Sequence, residues 1–234
     1  MTEYHVINGR APRLDAPAKA TGRAMYVDDI KLPGMLYGAL LQSPLAHARI
    51  ININTSKALK LPGVKSVVTA EDAGMVHYGV SPARYDETLF VKDRARYIGD
   101  EIAAVAAVDL ETALEAVSLI DVEYEELPTV FTVEEAMREG APQIHDKYPG
   151  NMCAEVHQEF GNVEEGFAKS DLIRTDTFIN KRQDGAFLEP NGVVADFNRN
   201  GYLTLHSSTQ VPHYVMRIVA MVLGIPVGKV RVKK

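Results

Sequence analysis

The residues with the most chemical capacity in this sequence lie in RQDGAFLEP, from Arg182 to Pro190. Gln183 can both donate and accept a hydrogen bond. Gly185 lets another group come close to the backbone, and Pro190 fixes the chain after Glu189. The same stretch also reads as a plain loop joining two strands. His47, in the polar turn SPLAHAR, reads as a turn or surface histidine and not as a ligand. Glu123, Glu125 and Glu126 form an acidic run that reads as the solvated face of a strand, not as an acid–base pair. Cys153 is the one cysteine. The chain alone therefore has no disulfide framework, no Cys-rich metal site and no iron–sulfur cluster. The sequence also lacks a glycine-rich phosphate loop, a nucleophile elbow and a His-Glu-x-x-His pair.

These residues depend on elements that the sequence marks unevenly. The clearest stretch is Arg96–Pro128. Ile102–Val108 is an apolar run that reads as a strand covered on both faces. Asp109 stands at a helix N-cap, and Leu110, Ala113, Leu114 and Val117 form an apolar stripe behind it. From Ile120 the period changes to two, with Ile120, Val122 and Tyr124 facing one way. Before this unit, strands are expected at Ala24–Ile30, Leu36–Gln42, Ala48–Ile53 and Val64–Val68. A short helix is expected over Ser56–Leu61, and a helical turn after Thr69 with Asp72 at capping-box spacing. Val76–Lys92 reads as a loop. After the unit, Val133–Arg138 reads as a short helix, Ala154–Phe160 and Leu172–Lys181 as strands, and Asn162 with Glu165 as the cap of another short helix. Val193–Phe197 and Tyr202–His206 form a hairpin around Asn200-Gly201. A helix opens near Pro212 and stops at Gly224, and a last strand starts at Lys229.

The totals restrict the class. The chain has 234 residues, 46% hydrophobic and 24% charged, with a net charge of −6. This is an ordinary globular composition. The acidic balance argues against nucleic acid as a partner. No apolar run approaches the ~20 residues of a membrane helix, and the first residues lack the form of a signal peptide, so a cytoplasmic protein without a membrane partner is expected.

Several segments, taken in order, resemble one family. They are Ala20–Ala24 with Tyr26 and Asp29, SPLAHARI at Ser43–Ile50, YIGDEIAAVAA at Tyr97–Ala107, VEYEELP at Val122–Pro128, FLEP at Phe187–Pro190 and STQVPHYV at Ser208–Val215. Together they are similar to the N-terminal part of the large, molybdenum-binding subunit of the xanthine dehydrogenase / aldehyde oxidase family. Within it, ARYIGDEIAAVAAVD and HQEFGNVEEGFAKSDLI look most like the alpha subunit of 4-hydroxybenzoyl-CoA reductase. The resemblance implies an α/β (α+β) chain: an arm over 1–19, a hammerhead domain over 20–130, a linker over 131–150 and, over 151–234, the incomplete start of a molybdopterin-binding domain.

The function it implies is hydroxylation, or reductive dehydroxylation, of an aldehyde, a heteroaromatic ring or an aryl-CoA. The cofactor would be a molybdenum cofactor of the molybdopterin cytosine dinucleotide type, with FAD and [2Fe-2S] clusters on partner subunits. The expected partners are an iron–sulfur subunit, a flavin subunit and a remaining portion of the molybdenum subunit. Gln183 takes the place of the family's glutamine beside the metal's oxo ligand. Many members carry a histidine where Gly185 stands. The isolated chain is expected to bind no cofactor and to be inactive, and a non-catalytic scaffold derived from such a subunit is the alternative.

Overall fold

The computed structural model describes residues 12–80 and 85–234. Residues 1–11 of the expected arm, and 81–84 of the expected loop, lie outside the described residues. The elements are α1 (Ala16–Ala20), β1 (Tyr37–Gln42), β2 (Ala48–Asn54), α2 (Ser56–Lys60), β3 (Val64–Thr69), α3 (Ala70–Ala73), β4 (Arg94–Ala95), β5 (Glu101–Ala107), α4 (Leu110–Ser118), β6 (Asp121–Glu126), α5 (Val133–Ala136), α6 (Val163–Ala168), β7 (Val193–Phe197), β8 (Leu203–Ser207), α7 (Pro212–Leu223) and β9 (Val230–Lys233). They fall into two compact units. One holds residues 37–72 and 90–186, the other the described residues of 1–36, 73–89 and 187–234.

In the first unit β5 lies between β1 and β3, antiparallel to both. Ile102, Ala103, Val105 and Ala107 are all buried, which is the two-face coverage its apolar run implies. A second antiparallel sheet has the order β4-β2-β6. The strands on either side of α4 therefore belong to different sheets. Ala103 and Val105 pack with Ala58, Ala116 and Ile120, while Ile102 joins Ile50, Val91 and Ala95. In β2 the register shifts between Ile50 and Asn52. That extra residue lets both Ile50 and Ile53 face the core and leaves Ile51 outside.

The face of α4 differs from the expected stripe. Ala113 and Ala116 are buried, whereas Leu110 and Leu114 are about half exposed. Ala39, Ala107 and Ala113 form one buried cluster, so the helix meets the strands through methyl groups. Small side chains allow this close approach, and the large ones turn outward. The cap is as expected: the Asp109 carboxylate accepts the Thr112 N–H at 2.8 Å. That bond holds the carboxyl below its ordinary pKa.

Residues 131–151 are ordered by side chains. Thr132 and Glu135 form a reciprocal capping box for α5. Asn151, in the left-handed region at φ 58°, donates to the carbonyls of Ala136 and Pro142 and accepts the Ile144 N–H. The Asn162 cap also forms, accepting the Glu165 N–H.

Two expected strands are absent. Residues 154–160 and 172–181 run without regular hydrogen bonding, and every residue from 152 to 186 is exposed. Alternation identifies two faces but supplies no partner strand, and no described strand pairs with either segment. Ala24–Ile30 is likewise not a strand: Val27–Asp29 is a 3-10 turn, closed where Asp29 accepts the Tyr26 N–H.

In the second unit β7 and β8 form the expected hairpin, and β9 runs parallel to β8 on its other side. The connection is α7. Val215, Met216, Val219 and Ala220 pack on Leu203, Leu205 and Val230. Gly224 ends the helix in the left-handed conformation at φ 64°, the backbone state that glycine adopts without a Cβ clash.

Candidate functional site

Gln183 lies in the first unit, on the extended chain before a small turn. Asp184 accepts the Ala186 N–H at 3.1 Å, and Ala186 takes a positive φ of 45°, so Gly185 sits inside an Asx-type turn. Gln183 is exposed, and its amide makes no hydrogen bond to a described residue. Its neighbours on both sides are exposed as well. The side chain is thus a donor with its hydrogen-bonding capacity unspent, and no wall of the chain encloses it.

Glu189 has a different place. It is half-buried in the second unit, and its carboxylate accepts the Val27 N–H at 3.2 Å. Tyr26, Asp28, Asp29, Leu188, Glu189 and Pro190 line an open hollow of about 190 Å³. A pocket that holds an organic ligand is usually larger, about 300 Å³ or more. Glu189 is a tie between segments here. Close by, the Ser208 hydroxyl bonds Gly192 on both its N–H and its carbonyl, at 2.8 and 3.2 Å. The Tyr26–Asp29, FLEP and STQVPHYV segments are brought together by these bonds.

The other marked segments meet in the first unit. The Ser43 N–H donates to Asp100 and the Gly99 N–H donates to Ser43, each at 2.8 Å. Ser43 is buried, and its hydroxyl closes the SPLAHARI turn against Leu45. His47 is buried at 4% exposure, which corrects the reading of a surface histidine. Its Nδ1 lies 2.6 Å from the Pro128 carbonyl, and its own carbonyl accepts the Leu127 N–H. Nδ1 therefore carries the proton. His47 sits in a turn with no periodic pattern, so its burial had no local signal. Arg49 pairs with Glu125 across β2 and β6, which makes part of the acidic run a cross-strand ion pair. In the same corner the Asp100 carboxyl is raised above its ordinary pKa, chiefly by desolvation, although the Arg96 N–H bond opposes this. Tyr97 is pushed up to about 12 by partial burial and by the neighbouring Asp100 and Glu101 carboxylates. These three segments build a corner of the fold. They do not form an acid–base site.

Among the described residues no group of three or more His, Cys, Asp or Glu could hold a metal ion. Cys153 is exposed and unpaired. The chemistry this chain can offer a cofactor is therefore hydrogen bonding, and the uncommitted amide of Gln183 suits an electronegative ligand oxygen. The fit extends to one contact, because residues 152–186 form no enclosure of their own.

Comparison with known proteins gives the class. Residues 21–128 match the family model described as aldehyde oxidase and xanthine dehydrogenase, a/b hammerhead domain. Residues 144–234 match the molybdopterin cofactor-binding domain. The large molybdopterin subunit of nicotinate dehydrogenase from Eubacterium barkeri is 36% identical over 98% of this chain and 53% of its own length. The carbon monoxide dehydrogenase large chain of Afipia carboxidovorans is 36% identical over 90% of this chain and 28% of its own. Quinoline 2-oxidoreductase from Pseudomonas putida 86 superposes with a TM-score of 0.84 at 32% identity, covering 95% of this chain and 29% of that one. The chain belongs to the aldehyde oxidase and xanthine dehydrogenase family of molybdenum oxidoreductase large subunits. It spans about half the length of the first of these relatives and less than a third of the other two. Among the described residues no helix is long and apolar enough to cross a membrane.

Proposed function

We propose that this chain supplies the hammerhead domain and the first part of the cofactor-binding region of a cytoplasmic molybdenum hydroxylase. The reaction is hydroxylation of an electrophilic carbon with water as the oxygen source, or the reverse dehydroxylation. The substrate is an aldehyde, a heteroaromatic ring or an aryl-CoA. The names of the nicotinate and quinoline enzymes support the heteroaromatic class. The sequence likeness to 4-hydroxybenzoyl-CoA reductase keeps the aryl-CoA class within the proposal.

The observation that carries the reading is the pair of adjacent family matches, which together take in most of the chain. In the complete assembly a molybdopterin cytosine dinucleotide cofactor would supply the oxygen transfer and exchange two electrons with [2Fe-2S] clusters and FAD on partner subunits, receiving them in hydroxylation and delivering them in dehydroxylation. The partners are an iron–sulfur subunit, a flavin subunit and the rest of a molybdenum subunit. Gln183 would offer its amide N–H to the bound cofactor and help to orient it. Pre-set donors of this kind cost no reorganisation when charge develops.

The test is Gln183→Ala in the complete assembly. The expected result is a loss of about 10²-fold in turnover, with molybdenum content and thermal stability unchanged, because the side chain is exposed and makes no hydrogen bond to a described residue. Full activity in the variant would remove Gln183 from the site.

A further inference from the structure

We infer that Asp184 is a positioning residue: its carboxylate, by accepting the Ala186 N–H, holds a strained turn that fixes the chain from which Gln183 meets the cofactor. The inference rests on the functional reading above, and adds to it the group that keeps the Gln183 amide in place.

The first observation is strain. Ala186 has φ 45°. Among the described residues it is one of two non-glycine residues in the left-handed region, and the other is Asn151. In that region a Cβ presses on the following carbonyl oxygen, a penalty that asparagine offsets with its short polar side chain and alanine does not. An alanine stays there only where its surroundings over-determine the conformation.

The second observation names what does so. The Asp184 carboxylate accepts the Ala186 N–H at 3.1 Å. Among the described residues no other hydrogen bond or ion pair involves 182–188. Asp184 is exposed, and its charge is used nowhere else in the described fold. An ionised carboxylate is a stronger acceptor than a neutral oxygen, which suits it to holding a strained turn.

The third observation is place. The turn begins at the residue next to Gln183, and the stretch from 172 to 183 has no regular hydrogen bonding. Without the turn, the Gln183 amide would hang from a chain unrestrained in both directions. A donor is most effective when its direction is set before its ligand arrives. The bond closes within three residues, so it forms whatever covers the stretch from outside.

The test compares Gln183→Ala, Asp184→Ala, Asp184→Asn and the double variant Gln183→Ala with Asp184→Ala in the complete assembly. NMR hydrogen exchange of the Ala186 amide is followed in the isolated full chain. Asp184→Ala is expected to speed that exchange about fivefold, the worth of one hydrogen bond. It is also expected to lower kcat about tenfold, within the range that a misplaced group costs, with KM and melting temperature unchanged. Asp184→Asn keeps an Oδ1 acceptor and is expected to recover most of the rate and the slow exchange. The double variant is expected to be no slower than Gln183→Ala alone, because a residue that acts through another adds nothing once that one is gone. Losses that multiply in the double variant would overturn the inference. So would unchanged Ala186 exchange in Asp184→Ala, or an unchanged rate in that variant while Gln183→Ala is slow. Full activity in Gln183→Ala would instead remove the functional reading of Gln183, and this inference with it.

Discussion

Asn151 joins three backbone segments through one side chain, and does so from a left-handed conformation. Asparagine tolerates that region better than most residues. Asn151→Ala removes three hydrogen bonds of about 0.5–1.5 kcal/mol each. A loss of about 2–3 kcal/mol in urea unfolding is expected; a loss below about 0.5 kcal/mol would show that this connection contributes little. Asp100 gives a pH prediction. Its folded pKa lies above the unfolded value, chiefly through desolvation. The charged form is therefore disfavoured in the fold, and stability is lost as pH rises from the ordinary carboxylate range through the raised value. An asparagine can keep the acceptor for the Arg96 N–H. Asp100→Asn is expected to melt at a higher temperature than the wild type at pH 7, with the gap closing as pH falls below the ordinary carboxylate range. A gap that widens in acid would reverse the assignment. At this scale the sequence marked Asp109 and Asn162 correctly, since a cap is a local bond. It set His47 correctly in a turn but missed its burial, and was silent on Asn151, because both act on segments distant in the chain or irregular in form.

At the scale of elements, the apolar run of β5 and the helix behind it were legible because their signals lie within a few residues. The hairpin, α7 and its glycine stop were legible for the same reason. The contacting face of α4 was legible in half: Ala113 and Val117 pack inward as expected, while Leu110 and Leu114 turn out and Ala116 takes their place, since the strands below offer alanines. The segments 154–160 and 172–181 were read as strands from pattern alone, but a strand also needs a partner, and none of the described strands supplies one. Gly63 tests how the elements of the first unit are held together. It adopts φ 99°, and its carbonyl accepts the Val108 N–H at 3.1 Å. A Cβ there would lie 3.0 Å from Val108 Cγ2 and 3.1 Å from Thr112 Cγ2. Gly63→Ala combines a strained backbone with a clash and should cost about 1–3 kcal/mol. An unchanged thermal midpoint would mean that the end of α2 and the start of α4 separate without loss.

At the scale of the whole molecule, the sequence pointed to a family because several weak segments stood in the right order. The structure gives them a physical role. SPLAHARI, YIGDEIAAVAA and VEYEELP close one corner of the first unit. FLEP and STQVPHYV, with the Tyr26–Asp29 turn, are tied together in the second. Most of these residues serve the fold, which explains why the chain announces its family clearly and its chemistry faintly. Among the described residues, the Gln183 amide makes no hydrogen bond and the run from 152 to 186 is exposed throughout. The most direct measurement is the metal content of the native assembly, isolated from its source through a tag on this chain. The account predicts molybdenum at about one atom per copy, together with iron and flavin from the partner subunits. An assembly purified intact with no molybdenum would contradict it.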